Sequence, residues 1–351
     1  MRRAQRNLWG RTGGHVGLLA ILAATAVLVA SCSDSPASRN PPSSLDFQGE
    51  GSSIIGQEWW VQFALGSTVF LVVLGLLGFI VFRQLRRPVD LSVDMQEDPR
   101  WLNWIWIGGI AVPLVIISVV FAFSVRSMVA LGESDEPEVL TVQVVGHRWW
   151  WEVIYPEQDF RTANEIRVPV GERVRVEVTS EDVIHSFWVP QVHGKIDMIP
   201  GQTLSTVLEA NAPGSYRGIC AEFCGLQHAR MHFMLVAMPP DRFDQWLERE
   251  RQQASEPQDD LAQRGQDVFL NSTCVYCHQI RGTAASGGVG PDLTHVASRL
   301  TLAAGTLENN PGNMAGWIVD PQRIKPGALM PPAELTGEDL QALLAYLRSL
   351  E

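Results

Sequence analysis

Between Cys220 and Met231 the chain reads Cys-Ala-Glu-Phe-Cys-Gly-Leu-Gln-His-Ala-Arg-Met, so two thiols, an imidazole and a thioether fall in one short segment. Thiolates and thioethers are soft donors that favour copper, and imidazole suits copper too. Cys220 and Cys224, four residues apart, can share two metal ions through bridging sulfurs, leaving His228 and Met231 to close the ends. A second imidazole would make the pair symmetric, and His185 in Val-Ile-His-Ser-Phe-Trp is well placed to supply it. The alternatives are a redox-inert zinc site or two buried free thiols. The methionine argues against zinc, whose sites are built from Cys, His and carboxylates.

A second cluster, Cys274-Val-Tyr-Cys277-His278, has the spacing of a c-type haem attachment site. The two thiols would form thioethers with the haem, and His278 would be the proximal iron ligand. Two methionines compete for the distal position. Met330 lies in Pro326-Gly-Ala-Leu-Met-Pro-Pro, a loop stiffened by proline on both sides, and Met314 lies upstream. The stiff loop favours Met330, and Met/His ligation gives the high potential of cytochromes c.

The copper-type motif, C-x-E-x-C-x-x-x-H-x-x-M with an upstream His, resembles that of subunit II of the haem–copper cytochrome c oxidases, and the resemblance runs from about Trp59 to Trp246. It implies a cupredoxin domain holding a dinuclear copper centre through His185, Cys220, Cys224, His228 and Met231. It also implies that the backbone carbonyl of Glu222 touches copper, and that its carboxylate helps bind a Mg ion at the boundary with subunit I. Trp149, in Gly146-His-Arg-Trp-Trp-Trp151, matches the aromatic residue through which electrons enter. The run Lys325-Pro-Gly-Ala-Leu-Met330-Pro-Pro looks like the distal loop of a class I cytochrome c. The expected partners are subunits I and III and a donor, cytochrome c or a quinol–cytochrome c reductase. Oxygen reduction would take place in subunit I. The electron-input subunit of a copper-containing nitric oxide reductase is the nearest rival. A membrane-bound electron shuttle or copper protein is a more distant one.

Around these clusters the chain divides into segments. Its 351 residues are enough for two or three domains, and a net charge of −11 argues against nucleic-acid binding. Arg2, Arg3, Arg6 and Arg11 precede an apolar run from Val16 to Ala30, the pattern of a signal peptide over 1–31. The run ends in Leu-Val-Ala-Ser-Cys32, which resembles a lipoprotein box with Cys32 as the acylated residue. All five cysteines then have a role, with none left for a disulfide. A polar, Pro/Ser-rich tether is expected over 32–58.

Two apolar stretches, Trp59–Phe82 and Trp104–Val125, can each span a bilayer and form a transmembrane hairpin within 59–125. Trp59, Trp60, Trp101, Trp104 and Trp106 suit the interfacial belt, and Arg83, Arg86, Arg87 and Arg100 put the intervening loop in the cytoplasm. Both remaining regions then face outward from a bacterial inner membrane, multi-pass, with lipid as a further partner. Asn103 stands where many oxidase subunits II carry a Glu that feeds a proton channel, and Glu97 or Asp98 are the nearby substitutes.

Alternating runs such as Arg173-Val-Arg-Val-Glu-Val178, separated by turn signals, predict an all-β Greek-key sandwich over 138–240. Alternation puts Trp149 and Trp151 on one face and Trp150 on the other. His147, His193, His232 and His295 have no ligand role in this reading. A charged, helical link is expected over 241–260, tethering an all-α class I cytochrome c domain over 261–351. Its final helix, about Thr336–Leu350, presents Leu340, Leu343, Leu344 and Leu347 to a core.

Overall fold

The computed structural model describes residues 42–86, 100–132 and 137–351. The signal peptide, Cys32, Arg87, Glu97 and Asp98 lie outside the described residues.

Helix α1 (Glu50–Arg86) is 37 residues long. The return runs through α2 (Arg100–Trp106), a π-helical turn at Ile107–Ala111 and α3 (Val112–Ala130). Among the described residues these are the two segments long and apolar enough to cross a membrane. Pro113 sits at the start of α3, where its missing N–H interrupts the regular ladder and a π turn absorbs the mismatch. Helix α1 begins earlier than the tether reading implied, because its first turns dock on the sandwich. Ser52 N and Oγ donate to Val192 O (3.0 Å) and Gln191 O (2.7 Å). Gly51 and Gly56 permit the approach, since a Cβ at either would lie 2.2 Å from His193 or Phe47.

Ten strands follow: β1 Leu140–His147, β2 Trp150–Tyr155, β3 Phe160–Ala163, β4 Glu165–Pro169, β5 Val174–Ser180, β6 His185–Trp188, β7 Ile196–Met198, β8 Leu204–Leu208, β9 Gly214–Cys220 and β10 His232–Met238. They form two five-stranded sheets, ordered β3-β2-β1-β5-β8 and β4-β10-β9-β6-β7. Strands β1 and β5 pair in parallel, as do β4 and β10, while their other neighbours are antiparallel. Burial alternates along β1 and β5, so Val142, Val144, Val174, Val176 and Val178 all point inward. Between the sheets the Phe187 and Phe233 rings stack 4.7 Å apart with the Trp151 ring edge-on at 5.0 Å from Phe233, a rigid aromatic floor beneath the loops at one end.

The charged segment after the sandwich is more than a link. Helix α4 (Pro240–Glu250) buries Phe243 and Trp246 in the sandwich core, with Trp246 edge-on to Tyr155 at 5.4 Å. Two aromatic residues three apart on one helix face provide the apolar stripe that the surrounding charges mask in the composition.

The C-terminal domain is helical, with α5 (Asp260–Leu270), α6 (Pro311–Val319), α7 (Pro321–Ile324) and α8 (Gly337–Ser349), plus a two-residue ladder between β11 (Thr301–Leu302) and β12 (Leu307–Glu308). Asp259 and Thr336 cap α5 and α8 through bonds to Ala262 N (2.8 Å) and Asp339 N (3.1 Å). The two helices cross at Gly265, where a Cβ would stand 1.9 Å from Ala342 O; no larger residue fits there without parting them. Leu343 and Leu347 of α8 reach the core with Phe269 and Tyr346, and Leu340 and Leu344 flank it.

Candidate metal centres

Strand pairing decides the first site. Strands β6 and β9 run antiparallel with Phe187 opposite Cys220, which brings His185 at the start of β6 beside Cys220 at the end of β9. Ala221 N donates to Ser186 O and Cys220 N to Met231 O, each at 3.0 Å, and these bonds tie the intervening loop to both strands. Within that loop Gly225 takes φ +115, a conformation side chains disfavour. His228 N then bonds back to Gly225 O at 3.1 Å, opening the single helical turn His228–Arg230.

The resulting donors converge. Cys220 Sγ lies 3.7 Å from Cys224 Sγ and 3.9 Å from His185 Nδ1. Cys224 Sγ lies 3.8 Å from both His228 Nδ1 and Met231 Sδ. The backbone oxygen of Glu222 is 3.2 Å from Cys220 Sγ, whereas its carboxylate side is exposed. His185 and Met231 are fully buried and both cysteines are 5 % exposed, so the soft donors are shielded from water. Among the described residues, the His185, Cys220 and Cys224 ligand atoms fall within 4.8 Å of one another. So close together, the two sulfurs resist carrying a negative charge each. The hydrogen bond from Cys224 lowers the Cys220 pKa, and that same bond and burial raise the Cys224 pKa. A coordinated metal removes this conflict, because its charge deprotonates a ligating thiol outright. The donor set therefore fits soft metal ions better than it fits a proton held between the two sulfurs.

Sequence reading missed Asp182. Its Oδ1 accepts from Val183 N (2.6 Å) and pairs with His185 Nε2 at 2.9 Å. Its Oδ2 accepts from Arg148 N (2.8 Å) and Arg148 Nε (3.2 Å). Burial opposes its ionisation, but the bonds from His185 and the two backbone N–H groups outweigh it and hold the carboxyl below its usual range. A carboxylate on Nε2 fixes the tautomer that turns the Nδ1 lone pair toward Cys220. The one available signal was the spacing, three residues before His185. Asp182→Asn offers a single acceptor oxygen, so an NH2 group must face either His185 or Arg148. Copper retention in dialysis against a chelator is expected to fall roughly 10–100-fold with a shifted near-infrared band; unchanged retention and spectrum would deny Asp182 this role.

Trp149 occupies the turn between β1 and β2, rather than β2 itself, and its Nε1 donates to Cys224 O at 3.0 Å. Trp149 and Trp151 both pack on the sandwich core, whereas Trp150 stacks on His147 at 4.4 Å. The remaining histidines have other neighbours. His147 lies 3.3 Å from Glu152, His193 contacts Gly194 O at 3.3 Å, His295 bonds to Glu351 O (2.7 Å) and Gln252 O (3.2 Å), and His232 is half-buried at the start of β10.

In the helical domain Cys274 and Cys277 are half-buried, on the turn Thr273–Tyr276 and just after it. His278 N bonds Cys274 O at 3.0 Å, and His278 Nδ1 donates to Pro291 O at 2.8 Å, which leaves Nε2 as the free ligand atom. Gly287 lets the backbone pass Cys277 closely, since a Cβ there would meet its N and C at 2.7 Å. Thiols, oriented imidazole and close-packed glycine fit a covalently held haem. Met314, on α6, is 3 % exposed in the domain core, while Met330 is half-buried on the loop between α7 and α8 and packs against that core.

A family model described as the periplasmic domain of cytochrome c oxidase subunit II matches residues 158–238, and one for cytochrome c matches 262–351. "Cytochrome c oxidase subunit 2" of Alkalihalophilus pseudofirmus is 35 % identical over 313 residues, covering 88 % of this chain and 90 % of its own. This chain belongs to the cytochrome c oxidase subunit 2 family. Subunits 2 from Bacillus sp. strain PS3 (30 % identical, 77 % of this chain, 80 % of theirs) and Bacillus subtilis (31 %, 69 % and 70 %) are similar. It is thus a subunit II of a haem–copper oxidase with a fused cytochrome c domain. The sandwich is cupredoxin-like, and the two domains imply a dinuclear copper centre and a c-type haem. As a subunit II it associates with subunit I in a membrane, its metal domains on the periplasmic side.

Proposed function

We propose that this chain receives electrons from an external donor at its haem and passes them through the copper pair to subunit I, where O2 is reduced to water with proton pumping. In this reading His185, Cys220, Cys224, His228, Met231 and the Glu222 carbonyl hold copper. Cys274, Cys277, His278 and Met330 hold the haem. Trp149 carries electrons into the copper site, and the Glu222 carboxylate, exposed at the same end, helps bind Mg at the subunit I boundary. Cys32 is the acylated N-terminus of the mature chain, which would be held at the bacterial inner membrane by two spans and a lipid; a mature mass retaining residues 1–31 would exclude that processing. The donor is cytochrome c or a quinol–cytochrome c reductase, with subunit III as a further neighbour.

The carrying observation is the convergence of two thiols, an imidazole and a thioether within 3.8 Å of Cys224 Sγ or Cys220 Sγ, with a second imidazole at 3.9 Å and an indole bonded to the Cys224 carbonyl. That geometry suits a site that holds soft metal ions and relays electrons. Purified complex supplied with reduced donor is expected to consume O2 and not NO. Turnover of NO alone would transfer the assignment to a nitric oxide reductase.

A further inference from the structure

A cytochrome domain on a charged link would be expected to search for its partner by diffusion. The contacts between the two outer domains describe something else. From the sandwich, the Glu165 carboxylate, 3 % exposed, accepts the backbone N–H groups of Leu300 and Thr301, the latter at 3.2 Å. His232 N donates to Ala304 O at 3.0 Å, a main-chain bond between the domains. Arg161 reaches Gln279 Oε1 at 2.8 Å, directly beside the haem-ligating His278. From the cytochrome side, Lys325 is 3 % exposed, and its Nζ donates to Trp149 O (2.7 Å) and Ala303 O (3.2 Å). Gln227, between Cys224 and His228, holds Pro326 O at 2.5 Å. Gly327 takes φ +86 against Leu226 and the Trp149 ring, where a Cβ would sit 3.1 Å and 3.7 Å away.

Lys325 is the unusual member. A surface lysine meeting a transient partner stays solvated, whereas this one is buried between two carbonyls. Burial pushes its pKa down to about 7, and the two carbonyls take the place of the water that a surface ammonium keeps. Such a site makes sense only where the surroundings stay closed.

We propose that the cytochrome domain is docked in one fixed register over Trp149, latched by Lys325 and Glu165, so that Trp149 joins the loop leading to Met330 to Cys224 without any domain search. The proposal rests on the electron-relay reading above. The transfer it describes moves one electron, iron passing from ferrous to ferric while the copper pair is reduced by one, with no proton or bond exchanged. A tethered search would slow in viscous solvent; transfer across a preformed contact would not.

The test uses the full chain in its purified complex. Amide hydrogen exchange is read in segments 227–233 and 298–306, for the wild type and for Lys325→Met and Glu165→Ala. Both segments should be protected in the wild type, and each substitution should speed their exchange roughly tenfold or more, since it strands buried backbone partners. Protection in β1 and β5 should not change. Haem-to-copper transfer after a light pulse should be independent of added viscogen in the wild type and become dependent on it in Lys325→Met. Wild-type segments exchanging as freely as the link at 251–258, or substitutions that leave their protection intact, would overturn the docking. Absent copper or haem spectra would count against the relay reading instead, while the exchange rates would still decide the docking.

Discussion

Cys220→Ser or Cys224→Ser abolishes the visible and near-infrared absorption of the copper pair in the purified chain. The two sulfurs stand 3.7 Å apart, each also within 3.9 Å of a histidine Nδ1, so on the proposed reading both would hold the copper pair together. A serine hydroxyl is a hard, weakly acidic donor that cannot replace a soft bridging thiolate. Changes beyond the ligands already cost about 10–100-fold in metal affinity, so loss of a bridge should exceed that. The site is closed by 5 % exposed cysteines and a fully buried methionine, so water cannot take the vacated position cheaply. Far-ultraviolet circular dichroism should be unchanged, because the sheets close on Trp151, Phe187 and Phe233 and not on the metals. Zinc bound by the wild-type sandwich whatever copper is supplied, or a serine variant with the full near-infrared band, would refute the copper assignment.

Met330→His lowers the haem potential by on the order of 0.1 V or more, within the ~0.8 V that axial ligands span. Met330 sits on the loop between α7 and α8, half-buried and held by the Gln322 Nε2 bond to its carbonyl at 3.1 Å. Met314 is 3 % exposed among Phe269, Ile318 and Leu343, the surroundings of a packing residue. Met314→Leu should therefore shift the potential little and cost less than about 1.5 kcal/mol, the usual penalty for a volume-conserving swap. Potentiometric titration of the haem band decides between them. A large shift on Met314→Leu with none on Met330→His would exchange their roles. The copper spectrum should be unaltered in both variants, because its donors come from β6, β9 and the loop between β9 and β10.

Much of the site was legible in the chain because its chemistry is local. Four of the copper donors and all of the haem attachment site lie within short segments, where covalent spacing alone brings the atoms near one another. The sandwich was legible too, since a two-residue period survives in β1 and β5 whatever packs against them. The helical character of α4 was legible but its docking was not, because its charges dominate the composition and Phe243 and Trp246 acquire meaning only against the open edge of the core they cover. The polar stretch before Trp59 likewise looked like tether until Gly51 and Gly56 met His193 and Phe47.

Long-range geometry made the remaining decisions. His185 lies 35 residues from Cys220, and their 3.9 Å approach follows from the β6–β9 register, which no local pattern encodes. Asp182 and Arg148 meet through the parallel pairing of β1 with β5, whose ends they extend. Lys325 and Trp149 are 176 residues apart, and Glu165 and Leu300 are 135 apart. Sequence by itself determined which donors and redox groups this protein could carry, because ligand chemistry is a property of residue type and short spacing. Only the tertiary structure decided how closely His185 approaches the thiols, which carboxylate it pairs with and where the cytochrome domain rests, because those depend on strand register and on surfaces that exist only once both domains have folded.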